Sequence, residues 1–272
     1  MSSNFSQNDQ LKVRGCAFQG NEAKKMGGAI GINRTRMNGY VVEISDCEFS
    51  NNKAGSAGGA IYVQLSSGDH QKKLATFDFN NCHFNNNRAG GMGGAFCQIT
   101  EPLTGAATTL SHCSFSKNQV SASEGNLRTD WLQNRERIAA AGGAVAAVFQ
   151  NEPDSLTTFR LYDCQFEENA SAGVGGACYV ESAQPDRVPV QFFDAVFNKN
   201  TAPEGSAIYH NALSKPLKLT GSNLPEGGVG QVAGATQRVF WEKALPKTPA
   251  EKPKGKWITD EKGNRIFTTF GN

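Results

Sequence analysis

Long apolar runs are missing from this chain. No stretch approaches the roughly 18 residues that a membrane-spanning helix needs, and mean hydropathy is −0.45. Proline is scarce, 10 in 272 residues, which excludes a collagen-like or proline-rich chain. A charge excess is missing too: 27 Lys and Arg against 25 Asp and Glu leave a net +2. A general nucleic-acid binder needs a basic surplus against phosphate, so no nucleic-acid partner is expected. Met1 to Gln10 are polar and hold no apolar signal core. Cys-x-x-Cys pairs and Cys/His zinc spacings are absent. So are a P-loop and His-Glu-x-x-His. Neither a metal nor a cofactor is expected.

Glycine is plentiful, 30 of 272 residues, and it is ordered. Cys16-Ala-Phe18 with Asn21 precedes Gly27-Gly28-Ala29-Ile30. The same frame returns at Cys47, Phe49, Asn52 and Gly58–Ile61, then at Cys82, Phe84, Asn87 and Gly93–Phe96. It returns again at Cys113, Phe115, Asn118 and Gly142–Val145, and at Cys164, Phe166, Asn169 and Gly175–Cys178. A sixth copy has Ala195, Phe197, Asn200 and Gly205-Ser206-Ala207-Ile208. Seven cysteines is an odd number, so at least one thiol is unpaired within the chain.

Each copy holds three strand-like runs: one ending three residues before the Cys, one at Cys-x-Phe, and one after Gly-Gly. Copies of about 31 residues are too short for propeller blades. They fit an all-β fold, a right-handed parallel β-helix of about six coils, each coil stacking on the next to bury its apolar face. Cys and Phe, two apart, share one side of a strand and are expected inside, reduced and stacked. The Asn column is expected to bond along the stack. The Asp or Asn before each Cys suits a left-handed turn.

These residues resemble the repeats of the chlamydial polymorphic membrane protein family. The paired FxxN and GGA[ILV] tetrapeptides run from Phe18–Asn21 to Phe197–Asn200 and from Gly27–Ile30 to Gly142–Val145, with Gly205–Ile208 a degenerate last copy. The resemblance covers about residues 11–210. It implies a β-helical passenger of an autotransporter adhesin at the cell surface or secreted. A host-cell receptor protein or glycan would be its partner. The polar start of the chain leaves a cytoplasmic location open. An end-to-end or homo-oligomeric contact is also open.

Function is expected on the outer columns and loops. Copy four inserts residues 120–139, stretching its Asn-to-Gly step to 24 where four other copies have 6. Trp131, Arg135 and Ile138 share one helical face there, and Trp131, Arg135 and Arg137 are candidate contact residues because Trp and Arg dominate interfaces. Tyr62, Tyr179 and Tyr209 fall in one column expected to face outward and to offer rings to a sugar. Two columns carry candidate chemistry. Glu48, His83 and Ser114 follow the Cys in successive coils, an acid–imidazole–hydroxyl row. Glu43 and Asp78 form an adjacent carboxylate pair capable of acid–base work.

Residues 211–272 carry 10 basic and 5 acidic residues. This basic, irregular C-terminal tail or cap is set apart from the β-helix of residues 1–210. Lys256 to Phe267 reads as a hairpin. The function expected is a non-enzymatic adhesin-like binding module. The alternatives are a carbohydrate-active β-helix enzyme (a lyase or hydrolase) and a soluble intracellular scaffold.

Overall fold

The regular alternation of turn residues and short apolar runs winds the chain into a parallel β-solenoid of about five turns. The computed structural model describes residues 10–35, 40–66, 75–100, 106–122, 140–149, 157–182, 190–212, 217–223, 232–233, 239–242, 255–259 and 265–269. Four parallel sheets form the walls. The first has 8 strands, among them Gln10–Arg14, Val41–Ser45, Ala75–Asn80, Ala106–Ser111, Thr158–Tyr162 and Val190–Phe193. The second stacks the 6 Cys-x-Phe strands, such as Glu48–Ser50 and His83–Asn85. The third has 5 two-residue strands after the Asn column, such as Arg88–Ala89. The fourth has 7 strands following the Gly pair, such as Phe96–Thr100. The third sheet is one more than the sequence pattern predicts. Its strands are too short to show a period.

Alternation puts one side chain in two into the bore. Phe18, Phe49, Phe84, Phe115, Phe166 and Phe197 form one column, with ring centroids 4.8–4.9 Å apart and planes within 7°. Cys47, Cys82, Cys113 and Cys164 are buried, unpaired and stacked. Each thiol reaches backbone carbonyls; Cys82 Sγ lies 3.4 Å from those of Ile44 and Asn80. Cys16 departs from the expectation. It is exposed, because no described coil lies over it. Polar groups inside the bore pair among themselves: Thr108 Oγ1 donates to Gln98 Oε1 at 2.8 Å, and Gln98 Nε2 donates to Thr100 at 3.1 Å.

The Asn column is a ladder. Asn87 Oδ1 accepts from both the backbone N and Nδ2 of Asn52, each at 3.0 Å. Its own Nδ2 donates to the Phe49 carbonyl at 2.9 Å and to Asn118 Oδ1 at 3.0 Å. One side chain thus ties three coils and satisfies groups that the bend takes out of the sheets. The turn before each Cys is left-handed, with φ of 50–55° at Asp46, Asn81, His112, Asp163 and Asp194. The glycines act in two ways. Gly93 has φ +58°, and a Cβ on Gly94 would lie 2.0 Å from the Gly143 carbonyl of the next coil. In the last copy Ser206 takes the second place, where no following Gly carbonyl is described.

The composition change near Asn211 is not the end of stacking. Leu217–Thr220 and Val239–Glu242 continue the first sheet, and Val232–Ala233 continues the fourth. Contacts divide the chain into Met1–Glu242 and Lys243–Asn272. The second unit contains an antiparallel hairpin, Gly255–Thr259 against Arg265–Thr269, in the place the sequence indicates.

Candidate functional site

Stacking turns residues one repeat apart into neighbours, so each outward column is a row of adjoining side chains. In the second sheet, Glu48, His83 and Ser114 are consecutive in register. His83 Nδ1 lies 2.8 Å from Ser114 Oγ. Glu48 makes no hydrogen bond to the imidazole among the described residues. The row therefore yields an imidazole–hydroxyl pair on an open surface. A triad also needs an acid bonded to the far ring nitrogen and oxyanion donors beside the hydroxyl.

In the first sheet, one outer row runs Lys12, Glu43, Asp78, Thr109, Arg160, Gln191. Glu43 and Asp78 are register partners, as their spacing predicts. Lys12 holds Glu43 at 3.0 Å. The Asp78 carboxyl is raised above its ordinary range by burial first and by Glu43 second, with a hydrogen bond from Thr109 opposing the rise. Arg160 Nε donates to Gln191 Oε1 at 3.1 Å. The neighbouring row, two residues before the Cys column, runs Ser45, Asn80, Ser111, Tyr162, Phe193, Thr220. The rings of Tyr162 and Phe193 stack at 4.7 Å and 6° on the outer face. Sequence reasoning passed over this pair, although the fixed offset from Cys164 and Ala195 puts both rings in one column.

The tyrosine column needs correction. Tyr62, Tyr179 and Tyr209 do stand on the outer side of the fourth sheet, alternating with the bore residues. Tyr62 is 2% and Tyr179 0% exposed, in a second apolar cluster with Met92, Cys97, Ile99, Ala146 and Val148. Tyr209 packs against that cluster. Tyr62 and Tyr179 therefore present no open ring to a ligand, while Tyr209, nearer the end of the row, is half-buried. Tyr179 Oη donates to Glu181 at 2.5 Å, and burial raises the Glu181 carboxyl. Alternation tells which side a residue takes but not what covers that side.

Trp131, Arg135 and Arg137 lie outside the described residues. The flanks of their segment, Val120 and Ala140, are buried with Ala89 in a small apolar cluster. No group of three or more His, Cys, Asp or Glu among the described residues is placed to hold a metal ion. Among them there is also no helix long and apolar enough to cross a membrane.

The architecture defines a repeat β-solenoid whose outer columns are its chemically varied surface. The model of the Chlamydia polymorphic membrane protein repeat matches residues 46–64 and 163–181. Both matches start on a left-handed turn residue and end on the fourth sheet, in one frame with the coils. These two stretches are similar to the Chlamydia polymorphic membrane protein repeat, and the other coils keep their frame. No curated protein and no solved structure gives a match.

Proposed function

We propose that this chain is a non-enzymatic, adhesin-like binding module, presented at the cell surface or secreted, with a host-cell receptor protein or glycan as its partner. The observation that carries the reading is the repeat itself. Two copies match the polymorphic membrane protein repeat in the same structural frame, and the rest of the stack repeats their columns. A solenoid of this kind spends its inner columns on stability and leaves long outer rows free to vary. The inserted segment of the fourth copy contributes to binding, through Trp131, Arg135 and Arg137.

The test is attachment of the purified chain to cultured host cells. Deleting residues 122–139 restores the Asn-to-Gly spacing of 6 found in four other copies and keeps the Gln119–Val120 strand. The variant is expected to keep its β-sheet circular dichroism and to attach more weakly. Equal attachment would remove the insert from the site; no attachment by the parent would remove the adhesin reading. Incubation with uronate and neutral polysaccharides is expected to release no new sugar ends. Turnover lost on Asp78→Asn would instead make the chain an enzyme.

A further inference from the structure

Six aromatic rings stack inside the bore, where they hold coils together. Tyr162 and Phe193 repeat that stacking on the outside, both half-buried. The stack ends abruptly in the direction of the earlier coils. Ser111, the register partner of Tyr162, is small, and so is Ser45, while Asn80 between them is exposed. The face of the Tyr162 ring turned toward the fourth coil therefore has no third ring against it. The space above Ser111 is the place where one more ring would continue the ladder.

The row beside this space is polar and of mixed sign. Arg160 lies two residues before Tyr162 on the same face, and its only hydrogen bond among the described residues runs from Nε to Gln191. Its terminal nitrogens remain as donors. On the neighbouring coils Thr109 donates its hydroxyl to Asp78, which leaves oxygens of both as acceptors. A strongly anionic ligand would meet Asp78 and the turn carboxylate of Asp163. A cationic one would meet Arg160. Vicinal hydroxyls, which both donate and accept, use every group in the row.

We propose that the outer face of the first sheet at the third to fifth coils binds a neutral pyranosyl glycan. One sugar ring lies above Ser111 with its C–H face on Tyr162, and Arg160, Thr109 and Asp78 bond its hydroxyls. An aromatic face offers apolar area at fixed geometry, and planar guanidinium and carboxylate groups bridge neighbouring hydroxyls. This assigns a ligand class and a place to the binding role proposed above, and it rests on that role.

The experiment uses the whole chain on an array of neutral gluco-, manno- and galacto-oligosaccharides, with uronate and sialylated glycans as comparison arms, and host-cell attachment measured beside it. Binding to a neutral class is expected. Tyr162→Ala should weaken it about ten-fold, the size of one lost ring contact, while Tyr162→Phe should leave it within about two-fold, since the ring and not the hydroxyl makes the contact. Ser111→Tyr keeps Tyr162 and fills the space with a third stacked ring, so it should abolish binding with the fold intact. Glycan binding unaffected by Ser111→Tyr, or binding confined to the anionic arms, overturns the proposal. Cell attachment without any glycan binding overturns the proposal and leaves the adhesin reading standing; glycan binding without cell attachment does the reverse. Failure of both overturns both.

Discussion

A thiol shut away from water ionises reluctantly, because the thiolate loses its hydration. The solenoid applies this to most of its cysteines. Hydrogen bonding with Cys113, then burial, raises the Cys82 thiol, and hydrogen bonding with Cys164 raises Cys113. Burial alone pushes Cys97 up to about 12 and raises Cys178. Cys16 is the exposed member. Since alkylation proceeds through the thiolate and requires access, iodoacetamide at pH 8 should label Cys16 in the native chain and all seven after denaturation. Native labelling of Cys82 or Cys113, read by mass spectrometry, would contradict the buried ladder. The ladder was legible in the sequence because a Cys and a Phe two apart must share a side. The exposure of Cys16 was not, because the repeat carries no mark of which coil lies at an edge. A second left-handed turn was also hidden. Asn51, Asn86, Lys117, Glu168 and Lys199 have φ of 50–56°, and Lys and Glu have no preference for that region. The Asn that follows each of them fixes the bend through its ladder bonds.

Elements in this fold are only a few residues long, so each depends on the coil above and below it. The Gly pair shows the constraint most directly. A Cβ at Gly94 would stand 2.0 Å from the Gly143 carbonyl and 2.7 Å from the backbone N and O of Gln119. Those are backbone atoms of adjoining strands, and they cannot yield without opening the stack. Gly31 has space, its nearest such atom being the Met26 carbonyl at 3.9 Å. Gly94→Ala should therefore cost at least about 1–3 kcal/mol, as forced overpacking does, and Gly31→Ala should be near neutral. Equal urea midpoints for the two variants would dismiss close coil approach as the reason for the second Gly. His210 supplies an element-scale pH effect. It stands in the bore in register with Val180, 7% exposed, and burial pushes its pKa down to about 4. Unfolded, it titrates near 6.5. Between those values the unfolded chain takes up a proton that the folded chain refuses. The stabilisation from neutral His210 is full above pH 6.5 and is lost as pH falls toward 4, about 3 kcal/mol at most. Glu181, raised by burial, acts with the opposite sign. The comparison must therefore be made against His210→Gln, whose urea midpoint should fall less than the parent's between pH 7 and 4.5. Parallel falls would mean that His210 does not titrate in this way.

Across the whole molecule, stability is a sum over interfaces between neighbouring coils, and position in the stack sets the value of a residue. The Phe column isolates the effect, since it repeats one residue in one conformation. Phe84 is fully buried and stacks on Phe49 at 4.9 Å and on Phe115 at 4.8 Å. Phe18 is half-buried and, among the described residues, stacks on Phe49 alone. Truncating Phe84 removes contacts on two interfaces and opens a cavity between rings that the Asn and Cys ladders hold in place. Phe84→Ala should cost about 3–5 kcal/mol. Truncating Phe18 touches one interface, and water reaches the vacated space. Phe18→Ala should cost about 1–2 kcal/mol. The sequence treats these two positions as identical, Cys-x-Phe followed by Asn three residues on, so any difference between them comes from stacking and not from local propensity. Chemical denaturation of both variants measures that difference. If Phe18→Ala proved as damaging as Phe84→Ala, the first coil would have to be as deeply packed as the third, and the open edge at Cys16 and Phe18 would have to be covered in solution.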